Sequence, residues 1–200
     1  MRHFSFRPSL TMSGRENRGL RGLAGKPLHP PLTDIPIAAY MFAAAFDLLS
    51  FGIDSGSHPE LTRQLFLAGT WTLLGGVVVA LLAALTGWAD WHRSSEPGTQ
   101  ARRTINAHAT IMLVATTVAL IDLVVRMTAY ADRTDAPFLL VVLSVIAAVL
   151  VALGATYGGG LVFDYGFNVE TAGDHPVWHV TEVDVLPGQH ADAESDAVES

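Results

Sequence analysis

The chain contains no cysteine, which excludes disulfides, cysteine-ligated iron–sulfur clusters and thiol catalysis. It is also short of charge. Asp, Glu, Lys and Arg make up 16% of its 200 residues, against about 25% in a soluble domain. There is no basic surplus: the formal net charge is -7, which argues against a nucleic-acid partner. Motifs of common chemistry are missing too. The sequence has no G-x-x-x-x-G-K-[ST] phosphate loop, no G-x-G-x-x-G after a strand, no serine nucleophile elbow, no H-E-x-x-H and no C-x-x-C-H. No residue pattern therefore points to an enzyme, and no catalytic residue is assigned.

What the chain has is apolar length. Hydrophobic residues make up 50% of it. Residues 64–89, 104–121 and 136–163 carry no Asp, Glu, Lys or Arg, and residues 35–53 are interrupted only by Asp47. A bilayer core takes about 20 apolar residues as helix, and in lipid the backbone must satisfy its own hydrogen bonds, so such runs are helical. The run VVVALLAAL at 77–85 lacks the polar face that a soluble helix shows. The expected fold is all-α: a four-helix transmembrane bundle with spans near 34–53, 64–89, 104–128 and 137–163. The membrane domain covers 25–169. Residues 1–24 form a basic flexible leader, and 170–200 an acidic tail with a short extended segment (HVTEVDVL, 179–186) followed by disorder. No apolar h-region precedes Ile35, so a cleaved signal peptide is not expected.

Basic residues set the expected orientation. Arg2, Arg7, Arg15, Arg18, Arg21 and Lys26 precede the first span, and Arg93, Arg102 and Arg103 lie between spans two and three. The opposite side has Arg63, Arg126 and Arg133. By the positive-inside rule both termini are cytoplasmic. Glycines at 69, 75, 76, 154 and 158 suit close helix packing within one bundle, with a homodimer face as the alternative.

Two polar groups stand out, because a charge in the membrane needs a partner or a purpose. Asp122 and Arg126 are four residues apart on span three and share a helix face. Asp47, on span one, reaches a similar depth. An Asp47–Arg126–Asp122 cluster is expected, either as a structural ion pair or as part of a proton or ion relay. The second group gathers where spans one and three begin and spans two and four end. It contains His29, Asp34, Trp88, Asp90, Trp91, His92, Asn106, His108, Asp164 and Tyr165, with His175 and His179 in the tail. Neutral imidazoles from different helices can ligate haem iron, and His29 and His108 are the candidates. A transition-metal site of His29 and His108 with Asp34 or Asp90 is the other option.

The segments G-K-P-L-H-P-P-L-T-D-I-P at 25–36, F-D-L-L around Asp47, G-W-A-D-W at 87–91, R-R-T-I-N-A-H at 102–108 and a G-G-x-L-V-x-x-x-G-x-x-V pattern ending at Val169 carry a resemblance. In their order and spacing they resemble the bacterial four-pass membrane proteins called domain of unknown function 2231. The resemblance implies a membrane protein with a redox connection, since some relatives are joined to, or encoded with, Rieske-type domains. Without cysteine this chain cannot itself hold a Rieske cluster. By position, His29 and His108 fall in the family's histidine motifs, and Asp47 and Arg126 in its intramembrane polar positions.

Three functions follow as expectations. The first is a redox accessory protein binding b-type haem or a metal at the cytoplasmic face. The second is a structural or assembly subunit that docks a soluble partner through its tail. The third is a small proton-coupled transporter using Asp47, Asp122 and Arg126.

Overall fold

The computed structural model describes residue 20 and residues 27–169. The rest of the leader, the tail with its expected extended segment, and His175 and His179 lie outside the described residues. Four helices run α1 His29–Gly52, α2 Pro59–Ser94, α3 Gln100–Ala129 and α4 Phe138–Phe163. Each is long and apolar enough to cross a membrane. Among the described residues there is no β-strand.

The helix ends follow from local chemistry. Two prolines occupy the first turn of α1, where their missing N–H groups would have no intrahelical partner anyway. The helix therefore starts at His29, ahead of its apolar run. Pro59 opens α2 in the same way, with Glu60 in the first turn. Thr99 caps α3 by accepting a hydrogen bond from the Arg102 amide at 3.1 Å. In the α1–α2 turn Asp54 accepts from the Ser57 hydroxyl at 2.6 Å and the Gly56 amide at 3.1 Å, which hold its carboxyl below its ordinary value. At 36 residues α2 is about 54 Å long and outreaches a hydrocarbon core of about 30 Å.

Around the bundle, α1 packs against α2 and α4, and α3 against α4 and α2, so α1 and α3 face each other across the diagonal. The central core is small in side-chain volume. Ala39, Ala43, Ala80, Ala115, Ala119 and Ala147 alternate there with Tyr40, Leu73, Val77, Leu123 and Val151. Bulky residues are turned outward: Phe42, Trp71, Leu85, Leu113, Val149 and others are exposed. Water-soluble proteins distribute size and polarity the opposite way. Small residues inside and large apolar ones outside suit helices that gain nothing hydrophobically from one another in lipid and associate by close packing.

The glycines serve this packing inside the chain. A Cβ on Gly76 would lie 2.6 Å from Ala39 Cβ, and one on Gly154 would lie 2.4 Å from Met112 Sδ. Gly75 faces open space. α4 stays helical through Gly158, Gly159 and Gly160.

Ser50 ties three elements together at the end of the bundle remote from His29. Its hydroxyl donates to the Thr62 carbonyl at 2.8 Å and accepts from the Ala136 amide at 3.0 Å. Ser50 is fully buried. Ser50→Ala strips a buried donor and a buried acceptor of their partner and is expected to cost about 1–3 kcal/mol. A lowered thermal midpoint of the purified protein in detergent checks this; an unchanged midpoint would mean the bonds contribute nothing.

Candidate functional site

Two polar constellations span the α1–α3 diagonal, one toward each end of the bundle. In the first, Arg126 on α3 donates to both oxygens of Asp122 one turn earlier, at 2.9 and 3.1 Å. It also donates to both oxygens of Asp47 on α1, through Nη1 at 2.8 Å and through Nη2. All three residues are at most 1% exposed. The guanidinium also lies over the Phe66 ring, 5.4 Å from its centre. A planar fork of donors between two carboxylates leaves little unsatisfied. The space for it comes from Gly69 on α2, whose added Cβ would stand 3.0 Å from Asp47 Oδ1 and 3.5 Å from Arg126 Nη1.

In the second constellation, His29 at the start of α1 and His108 in α3 bring their rings to 6.3 Å between centres, with planes at 81°. Each ring is oriented through Nδ1. His29 Nδ1 meets the Ala83 carbonyl of α2 at 2.9 Å, with the Thr86 hydroxyl at 3.3 Å. His108 Nδ1 meets the Gly154 carbonyl of α4 at 2.8 Å. A carbonyl acceptor fixes the tautomer with hydrogen on Nδ1 and leaves Nε2 with its lone pair. Glycine makes room here as well. A Cβ on Gly87 would fall 2.7 Å from His29 Cε1, and one on Gly158 would fall 3.1 Å from His108 Cε1.

The remaining residues of this end do not join the pair. Asp34 is exposed. It lies five residues beyond His29, about 140° around the helix, so it cannot share that face. Asp90 is buried, and its Oδ1 has no hydrogen-bond partner. Among the described residues no three of His, Asp and Glu stand together as a metal-holding group, so the set of His29, His108, Asp34 and Asp90 is not assembled. His92 stacks on Trp88, with centres 5.8 Å apart and planes at 5°. Trp91 donates to Asn106 Oδ1 at 2.7 Å and carries Arg102 over its ring at 3.7 Å. These contacts fasten the α2–α3 connection. Tyr165 and Thr104 hydroxyls approach to 3.5 Å.

Sequence reasoning did not single out Ser50, or Tyr40 with its unpartnered buried hydroxyl, and it took Gly69 only as a packing glycine and Gly87 only as part of the G-W-A-D-W segment. Only the glycines had a readable signal, their position opposite a bulky polar residue once the helices are paired.

A family model described as "Predicted membrane protein (DUF2231)" matches residues 25–171. No curated protein and no solved structure matches the chain. The matched segment contains all four helices and both polar constellations, and the chain belongs to the DUF2231 family of predicted membrane proteins.

Proposed function

We propose that this protein is a redox accessory protein of the bacterial cytoplasmic membrane, in which His29 and His108 hold a transition-metal centre, as b-type haem or as a bound ion. One observation carries the reading: two imidazoles from diagonally opposed helices stand 6.3 Å apart, each oriented through Nδ1 by a backbone carbonyl. Metal–imidazole bonds run about 2 Å, so rings at this spacing would bring both Nε2 lone pairs within reach of one ion. The backbone carbonyls do for these rings what second-shell acceptors do for metal-ligating histidines generally: they fix orientation and raise basicity. An iron held there supplies one-electron chemistry. The chain's own part is to present two lone pairs, exclude lipid and hold the rings still.

The distribution of Lys and Arg supports placing this end of the bundle, with both termini, on the cytoplasmic side. In that orientation a soluble redox partner would meet the acidic tail. The Asp47–Arg126–Asp122 cluster has its donors and acceptors matched to one another, which favours a structural role over a relay.

Protein purified in detergent from iron-replete cells is expected to carry stoichiometric transition metal by elemental analysis, with a reversible oxidised-minus-reduced absorbance change. Both are expected to be lost from His108→Ala. A folded, metal-free preparation from such cells would remove the reading.

A further inference from the structure

The two halves of the bundle repeat each other. His29 Nδ1 meets the carbonyl of residue 83, and His108 Nδ1 that of residue 154. The glycine four residues after each acceptor, Gly87 or Gly158, is the one that lies against the same imidazole. Eighteen residues after each histidine, about five helical turns and so on the same face, stands the residue that bridges the far end: Asp47 after His29, Arg126 after His108. Helices α1 and α3 run the same way, so α1–α2 and α3–α4 are parallel repeats about a pseudo-two-fold axis along the bundle, a relation known in membrane folds. His29 and His108 are equivalent positions of the repeat and face the axis from opposite sides. At the far end the equivalent positions carry opposite charges and pair with each other.

We propose that the ligand of the histidine pair is a planar iron tetrapyrrole, a haem, seated on this pseudo-two-fold axis with Nε2 of His29 and Nε2 of His108 as its two axial ligands. This rests on reading the pair as a metal-holding site and chooses among the metals that reading allows. Two observations make the choice. A metal on the axis would be equidistant from both donors, and with bonds of about 2 Å the ring spacing of 6.3 Å suits the straight-across placement of axial ligands better than a bent one. Among the described residues, no third His, Asp or Glu joins them. Structural zinc takes four protein ligands and catalytic zinc three, whereas a tetrapyrrole brings its own four nitrogens and asks the protein only for the axial pair.

The test is titration of the detergent-purified full chain, stripped of metal, with hemin, followed by absorbance and electron paramagnetic resonance. The expected result is one hemin per chain with a six-coordinate, low-spin spectrum. Its ferric resonance is expected to be of the highly anisotropic type that nearly perpendicular axial imidazoles give, since the ring planes stand at 81°. Because the ligands are equivalent, His29→Ala and His108→Ala are expected to lose the low-spin form alike. Added imidazole is expected to restore it in each, which a purely structural role would not predict. His92→Ala, altering an imidazole of the same end that stacks on Trp88, is expected to leave the spectrum unchanged. Stoichiometric copper, zinc or non-haem iron without hemin uptake would overturn the haem assignment and leave the redox-metal reading standing. A folded protein that takes up neither hemin nor metal would overturn both. Loss of low-spin character in only one of the two histidine variants would overturn the symmetric axial ligation.

Discussion

Replacing Arg126 by leucine is expected to cost about 3–5 kcal/mol and to be the most damaging single substitution in the membrane domain. Among the described residues Arg126 is the sole cation between Asp47 and Asp122, and both carboxylates are fully buried. Without it, two acidic groups face each other in a low-dielectric interior with no counter-charge, and every donor they used is gone. The loss comes mainly from the orphaned carboxylates, not from the intrinsic worth of the pair, since a well-packed apolar replacement of an entire buried ion cluster is often neutral. The triple variant Asp47→Leu, Asp122→Leu, Arg126→Met is therefore expected to recover most of the stability that Arg126→Leu loses. Unfolding of the three proteins in mixed detergent micelles measures both quantities. A relay would behave differently. There, Asp122→Asn would alter ion flux in reconstituted vesicles while leaving stability nearly intact. If Arg126→Leu unfolds at the same detergent composition as the parent, the structural role fails.

The arrangement of this cluster was within reach of the sequence; that of the histidine pair was only partly so. Asp122 and Arg126 share a face because they are one turn apart, and Asp47 reaches them because spans one and three run the same way. That deduction needs only helix geometry and an even count of spans. Ten polar or aromatic residues converge on the other end, and spacing alone does not say which two will meet. The selection is made by contacts without a side-chain signature. Backbone carbonyls of Ala83 and Gly154 orient the rings, and Gly87 and Gly158 leave room for them. Asp34 drops out because five residues turn it away from His29's face, which could have been worked out beforehand. Asp90 is buried without joining the pair, and nothing in its spacing tells the two outcomes apart. The eighteen-residue echo between His29–Asp47 and His108–Arg126 was present in the sequence throughout. It acquires meaning only once α1 and α3 are known to lie on one diagonal, because any two helices could carry such a spacing by chance.

Gly76→Leu is expected to be the second large effect, and its neighbour supplies the control. Three pairs set the register of α1 against α2: His29 opposite Gly87, Tyr40 opposite Gly76 and Asp47 opposite Gly69. At each level a polar or bulky residue of α1 is met by a residue with no side chain. At the middle level the added Cβ would stand 2.6 Å from Ala39 Cβ and 3.0 Å from Tyr40 Cε1. Ala39 has no flexible end that could swing aside, so relief requires α1 to move off α2. Overpacking of this kind typically costs about 1–3 kcal/mol. Because α1 carries both His29 and Asp47, displacing it also loosens the imidazole pair and the ion cluster, and the total is expected to exceed the upper part of that range. Gly75→Leu adds the same side chain one residue earlier, where nothing lies within 4 Å, and is expected to change stability by less than about 0.5 kcal/mol. Thermal midpoints of the two variants in the same detergent separate a loss of helix contact from any general intolerance of leucine for glycine. Equal midpoints would refute the close approach of α1 and α2 on which both polar constellations depend.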